Sequence, residues 1–99
     1  MNYNGLYYPV AAGALRMFPR ALAEVASVSE AGSLKYNVAV GEMAEILDPF
    51  NKWTEAMISH FLKEDLEDGI DEEDGQLHAA KVAWNALARL EHMMKEAEG

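Results

Sequence analysis

Carboxylates and imidazoles crowd into one part of this chain. Between His60 and Asn85 stand Glu64, Asp65, Glu67, Asp68, Asp71, Glu72, Glu73 and Asp74. These are eight of the chain's seventeen acidic residues, in eleven consecutive positions, and two of its three histidines share the segment. Oxygen and imidazole donors at this density are the groups that hold a divalent cation. In a helix through Phe61–Asp68, residues His60, Glu64 and Asp68 fall at i, i+4 and i+8 along one face. Asp71 joins that face if the helix persists past Gly69. Gly75 ends the acidic stretch and a second helix starts near Gln76, with His78 and Asn85 seven residues apart on one face. Two helices with polar inner stripes, joined by a carboxylate-rich turn, suggest a divalent-metal site. The competing reading is a solvated acidic loop between two core helices. A calcium-binding EF-hand is excluded: counted from Asp65, the required sixth-position glycine and twelfth-position glutamate are Ile70 and Gln76.

Other residues could complete such a site. Glu24 sits in an apolar helix between Ala23 and Val25, where a carboxylate is costly unless a metal or base compensates it, or unless it lies on a solvated rim. Lys35 and Tyr36 could meet a phosphate with the ammonium and stack a base on the ring; otherwise they are an exposed lysine beside a core tyrosine. His60 and His78 read either as metal ligands or phosphate contacts, or as hydrogen-bonded core histidines. Asn85, among Trp84, Ala86 and Leu87, calls for a specific hydrogen-bond partner.

The elements that must position these residues follow from the rest of the chain. Ninety-nine residues make one domain, and 51% hydrophobic content suffices for a core. With no cysteine, disulfides, zinc-thiolate sites and thiol nucleophiles are excluded, which suits a cytoplasmic protein. No apolar run approaches the ~20 residues of a membrane span. The N-terminus lacks the basic residue of a secretory signal. A net charge of −9 argues against a nucleic-acid polymer or an anionic membrane as partner, but is compatible with a metal-bound nucleotide.

Residues Met1–Pro9 read as an irregular arm, and Val10–Arg16 as a short helix or an extended lead-in; the arm is set at 1–14 and the domain at 15–99. Pro19 opens a helix ending at Gly32, with Leu22, Val25, Ala26, Val28 and Ser29 as its buried stripe. SLKYNVAVG is a loop, and Glu42–Leu47 a brief helix ending before Pro49. Asn51 caps the next helix, which buries Trp53, Ala56, Met57, His60, Phe61 and Leu62. The last helix, Gln76 to about Ala97, is roughly 33 Å long and buries Leu77, Ala80, Trp84, Leu87, Leu90 and Met94. The expected fold is all-α, a compact bundle of three main helices plus a short one. Its thin core and the chain's six methionines point to a homo-oligomer.

The run ALAEVASVSEAGSLKYN, a helix ending in histidine, then D-x-x-D-x-x-x-G-x-x-H and an asparagine-bearing helix together resemble the small phage dATP/dGTP pyrophosphohydrolases. That family is similar to the MazG-like all-α NTP pyrophosphohydrolases. Glu24, Gly32, Lys35, Tyr36, His60, Asp71, Gly75, His78 and Asn85 fall in register with it, and the resemblance spans roughly Leu15–Met94. There are three departures. Asp68 stands for a glutamate and Ser59 for an arginine, and Ser27–Val28 leave the first helix without a second glutamate, so that Glu64 or Glu30 would complete the metal shell.

The resemblance implies hydrolysis of purine deoxynucleoside triphosphates to monophosphate and pyrophosphate, dependent on Mg²⁺ or Mn²⁺. It implies Glu24, Glu64, Asp68 and Asp71 as metal ligands, and Lys35, Tyr36 and Asn85 as substrate contacts. Glu64, Lys35, His60 and His78 would be the catalytic groups, with Glu64 as base and Lys35 countering the departing pyrophosphate. Carboxylates crowded without a cation repel one another, so Asp71→Asn is predicted to raise stability without metal. The alternative is a non-catalytic acidic helical phage protein, an adaptor or inhibitor. In that case Glu24, Lys35, His60 and Asn85 have no reason to converge.

Overall fold

Proline at the first turn starts the first long helix, where its missing N–H costs nothing. In the computed structural model, which describes residues 2–3, 6–37, 40 and 50–98, this helix, α1, spans Pro19–Tyr36. It runs through Gly32, where the sequence predicts a stop, and takes in Ser33–Tyr36 of the predicted loop. One internal glycine costs only about 1 kcal/mol, and the helix continues to a better terminator. Asn37 adopts the left-handed conformation (φ 54°, ψ 50°) and its N–H bonds the Ser33 carbonyl; asparagine enters that region more readily than most residues.

Ahead of α1, Asn2–Tyr3 pairs antiparallel with Leu6–Tyr7 in a minimal ribbon where an irregular arm is predicted. Ala11–Leu15 forms a π-helical turn, which resolves the ambiguity of that segment in favour of helix. The predicted short helix Glu42–Leu47 lies outside the described residues.

The second long helix, α2, spans Phe50–Leu66, so Asn51 is already inside it and not its cap. The third, α3, spans His78–Glu98, two residues later than its predicted start. The all-α expectation holds. α3 packs against both α2 and α1, and the core lies where all three meet. Trp53 of α2 and Trp84 and Ala88 of α3 are buried there, with Val25 and Val28 of α1 packed against them. Polar ties fix the arrangement. Trp84 Nε1 donates to Ser29 Oγ at 2.7 Å, and Arg89 Nε to Thr54 Oγ1 at 2.9 Å. The predicted apolar stripes are only partly buried. Phe61 (63% exposed) and Leu62 (66%) of α2 face outward, as do Leu77, Leu87 and Leu90, because three helices offer too little surface to cover every apolar position. No helix among the described residues is long and apolar enough to cross a membrane.

Between α2 and α3 the acidic residues build a turn. α2 does not persist past Gly69. Asp68 (φ 54°) and Gly69 (φ 83°) are both left-handed, and the Gly69 N–H bonds the Glu64 carbonyl at 2.7 Å, the six-to-one bond that closes many helices. Asp71 Oδ1 accepts the Glu73 N–H at 2.9 Å and Asp74 Oδ1 the Gln76 N–H at 3.0 Å. These are two Asx-turns in succession, and they account for part of the carboxylate density. Ile70 and Leu77 form an isolated antiparallel bridge that brings the ends of the turn together. Because Asp68 carries a Cβ into the left-handed region, Asp68→Gly is expected to leave stability unchanged or raise it by up to about 1 kcal/mol. A urea melt showing a loss larger than that would contradict this account of the turn.

Candidate functional site

The turn and the two helix ends deliver three titratable side chains to one point. His60 comes from α2, Asp71 from the turn and His78 from the start of α3. One ligand atom of each lies within 4.8 Å of the others, the only such group of histidine and acidic side chains among the described residues. His78 is fully buried and Asp71 nearly so. The Nδ1 atoms of His60 and His78 face each other at 2.9 Å, and His78 Nε2 lies 2.9 Å from Glu67 Oε1.

The proton positions follow from donor chemistry. An ionised carboxylate only accepts, so His78 donates to Glu67 through Nε2–H. A neutral His78 then presents a bare Nδ1, which accepts the Nδ1–H of His60 and leaves His60 Nε2 with its lone pair. Burial, the Lys81 ammonium and His78 lower the His60 pKa against the opposing pull of Asp71, which keeps the ring neutral near pH 7. The bond from His78, with the Glu72 N–H, lowers that of Glu67.

Lys81, one turn into α3, is the resident cation. Its Nζ donates to Asp71 Oδ2 at 2.7 Å and to Asp74 Oδ2 at 2.5 Å. Burial pushes the Asp71 pKa up, but the Lys81 bond and the Glu73 N–H outweigh it and hold the carboxyl at about 2. Asp74 is lowered on the same balance, burial against Lys81 and the Gln76 N–H. Burial lowers the Lys81 pKa, and its two carboxylate partners more than reverse that. The predicted gain in stability from Asp71→Asn is thereby overturned, because an ammonium and not a second carboxylate is Asp71's nearest charge.

Beside this network opens a cavity of about 520 Å³ between α1, α2 and α3, within the range of small-molecule sites. Trp53, Trp84 and Tyr36 give it aromatic walls. Lys35, Lys52 and Lys81 give it cations, and His60, Gln76 and Asn85 add further polar groups. Gln76 is fixed by donating from Nε2 to the Ser27 carbonyl and hydroxyl, at 3.1 and 3.2 Å. Asn85 donates from Nδ2 to the Lys81 carbonyl at 2.7 Å, which leaves its Oδ1 as the acceptor. Gly32, the expected helix stop, is instead part of the wall.

The sequence model of the family described as dATP/dGTP diphosphohydrolase, N-terminal, matches residues 10–99. The chain belongs to that family. No curated protein and no solved structure matches it. The family match covers every residue of the network and of the cavity wall.

Of the residues singled out in the sequence, Lys35, Tyr36, His60 and Asn85 all line this cavity. His78 and Asp71 join His60 directly behind it. Glu24 is exposed on α1, Asp68 is exposed in the turn and Glu64 is half-buried on α2. None of these three joins a group of potential ligands among the described residues. A four-carboxylate cage for Mg²⁺ is therefore not assembled from them, and both oxygens of Asp71 already accept hydrogen bonds from within the chain. Lys81 and Glu67 in the network, and Lys52, Trp53, Gln76 and Trp84 in the cavity wall, are residues that were not singled out from the sequence. The available signal for Lys81 was its spacing, three residues after His78 and four before Asn85 on one helix face.

Proposed function

We propose that the chain binds a purine deoxynucleoside triphosphate in the cavity between its three helices and hydrolyses it to the monophosphate and pyrophosphate. The observation that carries this reading is the cavity's composition: three aromatic rings beside Lys35 and Lys52, with Lys81 and its partner Asp74 and a further acidic residue, Glu55, in the same wall. Aromatic faces bind a base, and Lys35 and Lys52, which the Asp71–Asp74–Lys81 network does not use, suit its phosphates. The family description names dATP and dGTP.

In this reading the purine stacks between the aromatic walls, and the free Oδ1 of Asn85 accepts from an amino group of the base. Lys35 and Lys52 hold the phosphates. His60 is the candidate base: it is neutral, its Nδ1 proton is held by His78, and Glu67 fixes the His78 tautomer. Glu64 does not line the cavity, and no step is assigned to it, to Glu24 or to Asp68. Mg²⁺ or Mn²⁺ is proposed as the ion that accompanies the triphosphate and screens its charge. The reading is tested by pyrophosphate release from the four deoxynucleoside triphosphates with either ion. Release from dATP and dGTP above dCTP and dTTP is expected, and Lys35→Ala should raise KM more than it lowers kcat. Absence of release from every substrate would overturn the reading.

Self-association is proposed as well. Ile58, Leu62 and Leu66 are exposed at four-residue spacing along α2, and Leu66 is 80% exposed. An apolar stripe of that length on a helix is a contact surface. Light scattering at micromolar concentration should give at least a dimer; a monomer would contradict it.

A further inference from the structure

We propose that His60, Asp71 and His78 form a binding site for a borderline transition-metal ion, with Zn²⁺ as the type case, in which Lys81 occupies the cation position until the metal arrives. The proposal does not rest on the nucleotide reading. It comes from the mismatch between the donors the described residues assemble and the four-carboxylate cage that the family resemblance implies.

Two imidazole nitrogens and one carboxylate oxygen are ligands for zinc, cobalt or nickel more than for magnesium. The two Nδ1 atoms lie 2.9 Å apart, close to the ~3.0–3.4 Å between two ligands that share an ion about 2.1 Å away. Asp71 Oδ2 lies 3.9 Å from His60 Nδ1, and all three ligand atoms lie within 4.8 Å of one another, so the carboxylate has a short distance to close. The three donors come from α2, the turn and α3, so the fold fixes their approach. The outer nitrogen of His78 already donates to Glu67, and a carboxylate in that position is the usual orienting partner of a metal-bound histidine. Three protein ligands leave coordination positions free beside His60, which lines the cavity.

The rearrangement balances. The proton on His60 Nδ1 moves to Nε2, freeing the Nδ1 lone pair, and no net proton is released. Lys81 gives up its bond to Asp71 Oδ2 and keeps its bond to Asp74 Oδ2. Lys81 thus competes with the metal for Asp71. A bound ion and general-base work by His60 exclude each other, so binding is measured without nucleotide.

The test is titration of the full chain with Co²⁺, followed by its visible absorption, and with Zn²⁺, followed by thermal melts. The expected result is one ion per chain, a cobalt spectrum typical of nitrogen and oxygen ligands, and a rise in Tm with Zn²⁺. His60→Gln and Asp71→Asn should abolish the spectrum. Glu67→Gln should weaken binding about tenfold or more. Lys81→Met should bind more tightly than the wild type and show a larger Tm rise, which no loss of structure would produce. Absence of binding to the folded wild type would overturn the proposal. So would binding unaffected by His60→Gln, which would place the ion on the acidic surface, or weaker binding in Lys81→Met at a temperature where circular dichroism shows that variant folded.

Discussion

Trp84→Ala is expected to destabilise the protein by about 3–5 kcal/mol, the range for deleting a buried tryptophan. The indole belongs to the buried cluster with Trp53 and Ala88, against which Val25 and Val28 pack, and it ties α3 to α1 through Ser29. Few other apolar residues among those described are buried, so no neighbouring cluster can take over. Small domains hold only about 5–15 kcal/mol in total, and the variant should be largely unfolded on warming to physiological temperature. Trp84→Phe keeps most of the ring and loses the N–H, and it should cost nearer 1–2 kcal/mol. Urea melts followed by circular dichroism separate the two. Equal, small losses would mean that the core lies elsewhere.

Lys81→Met is the second large effect. Removing the ammonium leaves Asp71 buried with only the Glu73 N–H, and Asp74 with only the Gln76 N–H. Breaking a buried pair from one side costs about 3–5 kcal/mol, and the half-exposure of Asp74 puts this one at the lower end. The loss must depend on pH. In the wild type the Asp71 carboxyl titrates at about 2 when folded, against 3.8 in its unperturbed state. Its contribution is therefore fully present above about pH 4 and is lost as pH falls through 2. In the variant, burial acts unopposed by the lysine and raises the Asp71 pKa, so protonation relieves the defect. The gap between variant and wild type should be widest near pH 7 and narrower at pH 3. A gap of constant size would show that the loss does not come from the charge of the Lys81–Asp71 pair. Metal-free Asp71→Asn should also destabilise, by about 1–3 kcal/mol, because it strips the charge from a bond to Lys81.

The sequence made the helical class and the three long helices legible because proline, the 3.6-residue period and the tryptophans all agreed. It also put His60, His78 and Asn85 on inner helix faces, whereas Lys35 and Tyr36, read there as part of a loop, were tied to them only by the family resemblance. Two things were hidden. Asp71 reaches His60 through a turn closed by left-handed Asp68 and Gly69, and not along a continued helix, so the i+4 face built from Glu64 and Asp68 led to the wrong neighbours. Lys81 was hidden because a lysine in a helix reads as surface. Nothing local says that its ammonium folds back over a turn ten residues earlier. The same blindness extended α1 only to Gly32, where the stronger stop was the asparagine five residues on.

The cavity between the three helices, proposed as the purine nucleotide site, reports on its own occupancy. Both of the chain's tryptophans, Trp53 and Trp84, line it, so its occupant is visible in the intrinsic fluorescence. Titrating dATP and dGTP with Mg²⁺ should give saturable quenching at one nucleotide per cavity, stronger than with dCTP or dTTP, and weakened by Lys35→Ala. If pyrophosphate is released while saturating dATP and dGTP leave the tryptophan emission unchanged, the nucleotide binds elsewhere and this account of the cavity is wrong.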